Sequence, residues 1–298
     1  MIVIAEKYGQ LGNRLFLFAH FIACAIEHGI KLANPAFDEY AVFFESTERD
    51  LFCRFPPRVS LLRSSWLRGR LYWLVSRLTS SLAYRLPNNR AWRVIRISDA
   101  EDFDLSTPDF VQMAQTKKFI FVQGWKFRDE TSLRKHADMI RRYFTPIERV
   151  RRTVEAHLKS ARTECDVLVG VHIRQGDYQR FEGGRYFYES HEYSRIMRKV
   201  QSLFPERTVG FLICSNTEQP AEVFADFRYS PGPGHFIEDM YALAGCDYII
   251  GPPSTFTLWA AFTGGARLCT LTHRDLEITS ESFKSYFVTQ PTDWTRSS

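Results

Sequence analysis

The chain has 298 residues, of which 45% are hydrophobic and 24% charged, a composition that excludes a disordered or fibrous protein and can bury two cores. Its formal net charge of +5 is unevenly distributed, because residues 51–98 carry ten arginines and no Asp or Glu. The rest of the chain is therefore net acidic, and this local basicity argues against a general nucleic-acid-binding surface.

The cysteines and the N-terminus both indicate a cytoplasmic protein. The six cysteines contain no C-x-x-C pair and lie mostly in apolar stretches, which predicts buried free thiols in a reducing compartment rather than disulfides or a zinc site. The N-terminal MIVIAEKYG lacks the basic start and long apolar core of a signal peptide. Since no run of about 18 apolar residues occurs, the sequence predicts no membrane-spanning helix.

Residues 1–35 predict a strand, a helix and a second strand. MIVIAE has the pattern of a short buried strand, and the glycines of YGQLGN predict a turn after it. Apolar residues from Leu15 to Ile26 recur at helical spacing, and Gly29 predicts the end of that helix. IKLAN then predicts a strand that Pro35 closes.

Residues 36–130 have a weaker pattern, and the stretch from FEST to FPPRV predicts loop structure. A helix is predicted among the arginines, because the leucines of residues 67–82 recur at helical spacing. FIFVQGW, residues 119–125, predicts a strand. Residues 130–160 have a helical pattern with a break at Pro146.

From residue 166 onward, strand and helix patterns alternate. The predicted strands are DVLVGVHI, TVGFLIC, DYIIG and ARLCTLT, and the predicted helices are HEYSRIMRKVQSLF, PAEVFADF, HFIEDMYALAGC and STFTLWAAFTG. Such alternation predicts a parallel sheet covered on both faces, which places the chain in the α/β class. Two such units joined near residues 150–165 would form a cleft, with ligands at the carboxyl ends of the strands.

Two stretches near predicted strand ends offer groups for an anionic ligand. In YGQLGNR, Gly9 and Gly12 let the backbone approach a ligand and the next helix N-terminus favours an anion, although both familiar nucleotide fingerprints are absent. In GVHIRQGDY, alternation along the strand puts His172 and Arg174 on one face, and a guanidinium suits phosphate oxygens. The alternatives are a tight strand-to-helix turn and a purely structural ion pair between Arg174 and Asp177.

Two later stretches add hydroxyl and carboxylate groups. Ser215 and Asn216 follow a strand in CSNTEQP, where they either cap the next helix or touch a ligand. Ser254 and Thr255 begin a helix behind two prolines, where hydroxyls and backbone N–H groups could grip a phosphate. Asp239 lies on the preceding helix and adds a carboxylate. Together these groups predict a nucleotide-bearing substrate without naming its sugar.

Three blocks, GQLGNRLF, GVHIRQGDY and CDYIIGPPSTFTLWAAF, resemble the α-1,2-fucosyltransferase family (glycosyltransferase family 11) and the wider superfamily that includes α-1,6- and protein O-fucosyltransferases. The resemblance leaves residues 40–115 unmatched. It implies an α/β, GT-B-like enzyme of two Rossmann-like, doubly wound domains facing a cleft. Residues 1–155 would form the acceptor-side domain, with 51–98 as an irregular arginine-rich insertion, and residues 156–298 would bind the GDP-sugar.

The same resemblance implies an activity. The enzyme would move fucose from GDP-fucose to a hydroxyl of a glycan acceptor, with inversion, without a metal or another cofactor, and with an α-1,2 linkage in cell-surface polysaccharide or oligosaccharide synthesis. Arg174 would grip the donor β-phosphate. His172 and Asp239 would recognise the guanine. Gly12 and Asn13 would approach the donor phosphate and sugar.

Further donor-binding roles are implied for the later blocks. Ser254, Thr255 and Phe256 would hold the diphosphate, since they begin the helix of the last block. Ser215 and Asn216 would lie near the nucleoside, at a place where relatives often have acidic residues.

One position departs from the family pattern, because Gln175 stands where relatives commonly have a second arginine. One positive charge is therefore missing, which leaves another GDP-sugar open as the donor. Arg174 and helix N-termini would stabilise the negative charge on departing GDP. Asp177 and Glu182 are the candidates for deprotonating the acceptor hydroxyl.

Three other functions compete with this one. EDFD at 101–104 contains the D-x-D of metal-dependent GT-A transferases, but it lies in a polar run typical of a loop. A sulfo- or phosphoryl transferase would also use an arginine and helix N-termini, but the Walker lysine motif is absent. A non-enzymatic protein could bind RNA or an anionic membrane through the arginines and aromatic residues of 51–98.

Within an enzyme, the arginine-rich helix has two interpretations. It is an amphipathic helix that packs on the N-terminal domain, or residues 60–86 contact an anionic membrane and bring a peripheral enzyme to its acceptor at the inner membrane face. The predicted partners are thus a GDP-sugar, a glycan and a membrane surface, and no nucleic acid is expected.

Overall fold

The computed structural model describes the chain in three ranges, residues 1–61, 64–85 and 88–286. Contacts divide the chain into two compact units, one of residues 1–147 and one from residue 148 onward. The helix Glu148–Ala161 belongs whole to the second unit, whereas the division predicted at residue 155 falls inside it.

The first unit is built on a twisted layer of short strands. Its strands are β1 (Ile2–Ile4), β2 (Leu32–Ala33), β3 (Arg54–Phe55), β4 (Trp92–Arg96), β5 (Phe103–Asp104), β6 (Phe119–Gln123) and β7 (Phe127–Arg128). The main sheet has the order β3-β2-β1-β6-β4 and is parallel except for β3, while β5 and β7 form a separate parallel pair. The carboxyl ends of its parallel strands therefore share one edge.

The described helices of the first unit are α1 (Leu11–His28), α2 (Glu45–Glu48), α3 (Ser65–Arg85), α4 (Pro108–Thr116), α5 (Glu130–Lys135) and α6 (Ala137–Tyr143). Single 3₁₀ turns lie at Pro35–Phe37 and Ala41–Phe43. The predicted end of α1 is confirmed, because Gly29 has a left-handed φ of 65° and its N–H donates to the Ala25 carbonyl.

The arginine-rich segment 51–98 contributes regular structure to the first unit. Besides α3 it supplies β4, which forms the outer edge of the main sheet beside β6. This strand was not predicted from the sequence, because WRVIR lacks the continuous apolar run of a central strand. Its two arginines are tolerated since β4 is an edge strand, in which Arg93 is partly buried and Arg96 is exposed. Strand β3 also lies in a stretch that was predicted to be loop.

The second unit alternates strands and helices as the sequence predicts. Its strands are β8 (Val167–Ile173), β9 (Val209–Ser215), β10 (Tyr229–Pro231), β11 (Tyr248–Gly251) and β12 (Arg267–Thr270). Its described helices are α7 (Glu148–Ala161), α8 (Ser190–Ser202), α9 (Phe236–Ala244) and α10 (Thr255–Gly264). Single 3₁₀ turns lie at Asp177–Gln179, Phe181–Gly184, Ala221–Phe224 and Ser280–Ser282.

All neighbouring strands of the second sheet are parallel, in the order β10-β9-β8-β11-β12. On one face, Val169 and Val171 of β8 pack against Tyr193 and Met197 of α8. On the other face α9 approaches so closely that a Cβ at Gly170 would lie 2.6 Å from Leu243. The predicted α/β class, with a sheet covered on both faces, is confirmed.

The helix predicted from PAEVFADF is wrong. The structure has one 3₁₀ turn there, Ala221–Phe224, followed by β10. The chain has to reach β10 within a few residues, so a longer helix has no room. Strand β10 contains Pro231, which this position tolerates because β10 pairs only with β9 at the sheet edge.

The strand order reverses direction at one place in each sheet, between β1 and β6 in the first unit and between β8 and β11 in the second. In open α/β sheets, ligands bind outside the carboxyl ends of the strands at such switch points. The two switch points therefore locate the residues to consider for function.

Among the described helices, none combines the length and the apolar character that crossing a membrane requires.

The close contact at Gly170 gives a stability prediction. Gly170→Ala is expected to lower the free energy of unfolding of the second unit by about 1–3 kcal/mol, because the new methyl group overlaps Leu243. Urea unfolding followed by circular dichroism measures this. The control is Gly69→Ala in α3, where the nearest atom would be 3.9 Å away and the change is expected to be neutral or stabilising. Equal losses in the two variants would contradict the packing argument.

Candidate functional site

The switch point of the second unit brings together the ends of β8 and β11. His172 and Arg174 lie at the end of β8, and Ser254 follows β11 at the start of α10. Strand β11 pairs directly with β8, with Ile250 opposite Val171. The two predicted stretches GVHIRQGDY and PPSTF therefore meet at one edge of one sheet.

Asp177 holds the guanidinium of Arg174. The Arg174 Nε donates to Oδ1 of Asp177 at 3.1 Å, and Nη2 donates to Oδ2 at 2.7 Å. Two parallel bonds fix the plane of the guanidinium. The guanidinium carbon also lies 4.8 Å from the ring centre of Tyr178. Arg174 is thus held rigidly, and its side chain, 18% exposed, remains accessible to an anion.

The ion pair anticipated as an alternative role for Arg174 is therefore present, and it defines what Asp177 does. Hydrogen bonds from Arg174 hold the pKa of the Asp177 carboxyl below its ordinary value. A carboxylate with a low pKa accepts a proton poorly. The geometry thus suits Asp177 to orienting Arg174 better than to general-base chemistry.

His172 is buried beneath the sheet edge. Its ring stacks on Phe256, with 4.9 Å between ring centres and 21° between the ring planes. Burial, and then the charge of Arg174, lower the pKa of His172 to about 3, so the imidazole is neutral near pH 7. The stack joins the end of β8 to the first turn of α10. Within the described residues, its Nδ1 is buried without a hydrogen-bond partner.

Helix α10 begins with a side-chain cap. The Ser254 Oγ accepts a hydrogen bond from the Phe256 N–H at 3.2 Å, as its predicted N-cap role requires. Thr255 is the first residue of the helix, and the first turn contains no acidic residue. The positive end of the helix dipole is therefore not neutralised locally, which favours an anion there.

Tyr178 links this helix start to Arg174, a connection that the sequence analysis missed. Its hydroxyl donates to the Pro253 carbonyl at 2.5 Å, while its ring lies under the Arg174 guanidinium. The buried side chain of Tyr178 thus contacts both the guanidinium of Arg174 and Pro253, the residue just before the N-cap of α10. A tyrosine in HIRQGDY carries no sequence signal that distinguishes this role from core packing.

Gln175 ties the ends of β8 and β9 together. Its backbone N–H donates to Asn216 Oδ1 at 2.9 Å, and its side-chain Nε2 donates to the Tyr188 carbonyl at 3.0 Å. Its Oε1 accepts from Thr217 Oγ1 and from Gln219 Nε2, each at 2.9 Å. An arginine has no acceptor and could not make the last two bonds. Glutamine at this position therefore has a structural role of its own.

Ser215 and Asn216 belong to the same network. The Ser215 Oγ accepts from the Thr217 N–H at 3.2 Å, and Asn216 Oδ1 accepts from Gln175 as described. An added Cβ at Gly176 would lie 3.1 Å from Asn216 Nδ2, so a glycine keeps room for this amide. The structure gives both predicted residues a clear part in shaping the loop.

A cavity of about 330 Å³ opens beside this network, between the ends of β9 and β10. Its walls include the apolar side chains of Ile213, Phe224 and Tyr229, and Asp239 contributes a carboxylate. The Asp239 Oδ1 accepts from the Gly234 N–H at 2.9 Å, and burial raises the pKa of Asp239. Ser215, Thr217, Glu218 and Gln219 also line the cavity. Apolar walls with a few polar groups are typical of small-ligand sites.

The two residues predicted to recognise one base are placed differently. Asp239 lines the cavity, together with Ser215, whereas His172 stacks on Phe256 and is not among the lining residues that the structure describes. His172 and Asp239 thus occupy neighbouring parts of the sheet edge. The intervening contact is the thiol of Cys214, which faces the Asp239 carbonyl at 3.8 Å.

Glu182, the other predicted base, lies on the 3₁₀ turn Phe181–Gly184 with a left-handed φ of 50°. Its side chain is exposed. The neighbouring Phe181 ring stacks on Tyr178, with 4.9 Å between ring centres. The turn is therefore anchored near Arg174 through Tyr178, while the carboxylate itself faces solvent.

Gly12 and Asn13 lie in the first unit, in the first turn of α1 rather than in the loop that was predicted. The actual turn is at Gly9, with a φ of 59°, where a Cβ would lie 2.3 Å from Asn13 Nδ2. The left-handed φ favours glycine at this position. The Arg14 Nε donates to the Gly9 carbonyl at 3.2 Å and closes the turn.

The switch point of the first unit contains residues that the sequence analysis missed. After β1 comes Glu6, whose Oε2 accepts from the Gly124 N–H at 2.9 Å, directly after β6. Tyr8 and Trp125 stack there, with 5.3 Å between ring centres. Both strands were predicted from the sequence, but only the sheet order shows that their carboxyl ends are neighbours.

The acidic stretch EDFD is divided between a turn and a strand, because Phe103 and Asp104 form β5 beside β7. Asp104 Oδ1 accepts from the Ser106 N–H at 2.8 Å, and Glu101 Oε2 accepts from the Ser98 N–H at 2.8 Å. The prediction of a polar loop therefore holds for residues 101–102 and is wrong for Phe103 and Asp104, which lie in the short strand β5.

Comparison by sequence finds no matching family and no matching curated protein. Among solved structures, a mutant of Arabidopsis thaliana FUT1 in complex with GDP is similar with a TM-score of 0.59, at 13% identity over 91% of this chain and 70% of that chain. NodZ from Bradyrhizobium, an alpha-1,6-fucosyltransferase soaked with GDP-fucose, has a TM-score of 0.54 at 17% identity over 90% and 94%.

POFUT1 in complex with GDP-fucose is also similar, with a TM-score of 0.51 at 11% identity over 89% of this chain and 94% of that chain. At such identities the likeness establishes a shared fold. The predicted GT-B-like, Rossmann-like fold class is thereby confirmed.

The Gln175 network predicts the effect of restoring the arginine of the family pattern. Gln175→Arg is expected to lower the free energy of unfolding by about 1 kcal/mol, because Thr217 and Gln219 lose their common acceptor. The control is Gln201→Arg, at an exposed glutamine of α8, which should leave the free energy of unfolding near that of the parent. Chemical unfolding of the two variants measures the difference, and a Gln175→Arg variant as stable as the parent would disprove the structural role.

Proposed function

We propose that this protein is an inverting, metal-independent glycosyltransferase that moves fucose from GDP-fucose to a hydroxyl of a glycan acceptor. The observation that carries the proposal is the pairing of a held guanidinium, Arg174, with the uncompensated N-terminus of α10 at the switch point of the second sheet. The fold shared with GDP- and GDP-fucose-bound proteins supports a GDP-sugar as the ligand.

The donor diphosphate would bind between Arg174 and the first turn of α10. A guanidinium and helix N–H groups together supply directed donors and positive charge for phosphate oxygens. Ser254, Thr255 and Phe256 begin that turn, and the His172 stack fixes Phe256 in it. The same groups would stabilise the negative charge that GDP gains as the sugar becomes cation-like, which is the charge that a metal neutralises in other transferases.

The base would occupy the cavity lined by Asp239. Guanine presents two adjacent N–H donors on its Watson–Crick edge, which suit one carboxylate, whereas adenine presents an unprotonated ring nitrogen there. The apolar walls from Ile213, Phe224 and Tyr229 would cover the ring faces. Ser215, which also lines this cavity, would contact the nucleoside.

The acceptor side is proposed for the first unit. Its switch point offers the stacked rings of Tyr8 and Trp125 beside the Glu6 carboxylate, a combination that can hold sugar faces and hydroxyls. Gly12 and Asn13, at the start of α1 in the same unit, keep their proposed role near the donor phosphate and sugar. The α-1,2 linkage rests on the sequence blocks that resemble the α-1,2-fucosyltransferases.

A donor screen tests the proposal. Calorimetry with GDP-fucose, GDP-mannose, UDP-glucose and CMP-sialic acid, each with and without a chelator, is expected to give binding of GDP-sugars that the chelator leaves unchanged. Arg174→Ala should weaken GDP binding about 10- to 100-fold through loss of charged hydrogen bonds. Arg198→Ala, which removes another arginine paired with an aspartate, is the matched control.

Asp239→Asn should lower the preference for GDP over ADP by about tenfold or more, since one carboxylate acceptor becomes a donor. Binding of a UDP-sugar alone, and only with a metal, would overturn the proposal. Binding of GDP-mannose but not of GDP-fucose would support a transferase that uses a GDP-sugar, with mannose instead of fucose as the transferred sugar.

The two candidate carboxylates are expected to behave differently in turnover. Asp177→Asn should weaken donor binding, because the Arg174 guanidinium loses its ionised partner. Glu182→Gln should leave donor affinity unchanged and lower kcat at least about 100-fold if it deprotonates the acceptor. Steady-state kinetics with donor affinity measured separately distinguishes these effects. A kcat near the parent value in Glu182→Gln would remove Glu182 as the base.

A further inference from the structure

Helix α3 presents apolar side chains outward. Leu74 and Leu78 are 57% and 54% exposed, and Trp66, Trp73 and Tyr84 are also exposed. At about 100° per residue, these five positions fall within about 140° of the helix circumference, so they lie along one side of the helix. The interpretation of α3 as a helix that packs its leucines on the domain therefore fails for Leu74 and Leu78.

The inward side of α3 is held by polar contacts. Arg68 is buried, and its guanidinium donates to the backbone carbonyls of Thr47, Glu48 and Asp50. Buried charge that satisfies several carbonyls anchors the helix in one orientation. The outward side is consequently fixed as the apolar one.

Arginines are interleaved with the exposed rings. The Arg70 guanidinium lies 4.8 Å from the Trp66 ring centre, and the Arg77 guanidinium lies 5.2 Å from that of Trp73. Neither makes an ion pair with a carboxylate in the part of the chain that the structure describes, and residues 51–98 contain no acidic residue. We define the basic aromatic face as Trp66, Arg70, Trp73, Leu74, Arg77 and Leu78.

We propose that the basic aromatic face docks on the surface of an anionic lipid bilayer. Tryptophan prefers the boundary between headgroups and acyl chains, and leucine prefers the acyl side of it. Arginine stems follow apolar surface while their guanidinium groups reach lipid phosphates. Exposed Val59 and Leu61, in the loop before α3, extend the same kind of surface.

The chemistry of the face favours a bilayer over other partners. A second copy of this face would bring Arg70 and Arg77 against like charges without any carboxylate to separate them. A nucleic acid would use the arginines and the rings but leave Leu74 and Leu78 without a partner, and the arginines already cover Trp66 and Trp73. A bilayer accommodates all three kinds of side chain at once.

Vesicle binding by the full chain tests the proposal without any donor or acceptor, so its outcome is independent of the proposed transferase activity. The protein is expected to float with vesicles of phosphatidylcholine and phosphatidylglycerol, to bind vesicles of phosphatidylcholine alone weakly, and to be released by high salt. Arg70→Gln with Arg77→Gln should weaken binding about 25-fold, at about a factor of five for each charge.

A second variant tests the apolar contribution. Trp73→Ser with Leu74→Ser and Leu78→Ser should weaken vesicle binding more than about tenfold while the thermal unfolding midpoint stays near that of the parent, because these side chains are exposed. The controls are Arg152→Gln with Arg198→Gln, two exposed arginines of the second unit, and Met139→Ser, an exposed apolar residue of the first. The controls should bind vesicles as the parent does.

Three results would overturn the proposal. The first is an absence of binding to the anionic vesicles. The second is equal binding by the parent and by both variants of the face. The third is that the parent binds single-stranded RNA more tightly than vesicles, and that RNA binding is lost in the arginine variant but kept in the apolar variant. That result would assign the face to a nucleic acid.

Discussion

The organisation of the second unit depends on parallel pairing around β8. This strand is hydrogen-bonded to β9 on one side and to β11 on the other, with Val171 opposite both Ile213 and Ile250, and all seven of its residues are buried. Burial on both faces leaves polar side chains mainly to the ends of the strand, and the carboxyl end carries His172 and Arg174. Parallel neighbours then bring their own polar ends to the same edge. The position of His172 and Arg174 at the carboxyl end of β8 is a direct consequence of this burial and of the parallel pairing.

Two kinds of polar arrangement share that edge. Gln175, Asn216 and Thr217 satisfy one another and leave the loop rigid. Arg174 instead keeps an accessible side chain, oriented by Asp177 and supported by Tyr178. The hydrogen-bonded loop and the oriented Arg174 guanidinium together would form a preorganised anion site, because few groups have to move when an anion binds. The neutral, buried His172 contributes through its stack with Phe256 rather than through charge.

Helix α3 differs from helices such as α1 in what it buries. Helix α1 buries most of its apolar side chains, whereas α3 buries the guanidinium of Arg68 and exposes Leu74 and Leu78. The helix is held in this orientation because the buried Arg68 donates to the backbone carbonyls of Thr47, Glu48 and Asp50. The cost is an apolar surface in contact with water. The proposed bilayer contact would remove that surface from water.

The sequence by itself determined the α/β class, most strands and helices of the second unit, and the stretch that carries Arg174, because hydrophobic periodicity and capping residues are local signals. It also contained both possible roles of Asp177 without deciding between them. Only the tertiary structure decided that β4 and β10 are edge strands, that PAEVFADF is a single turn, and that Glu6 and Trp125 are neighbours. It also decided that Gln175 is a structural link and that the leucines of α3 divide between two sides. These facts depend on which strand lies beside which and on which face of a helix meets the core, and pairing over long sequence distances leaves no mark in local residue patterns.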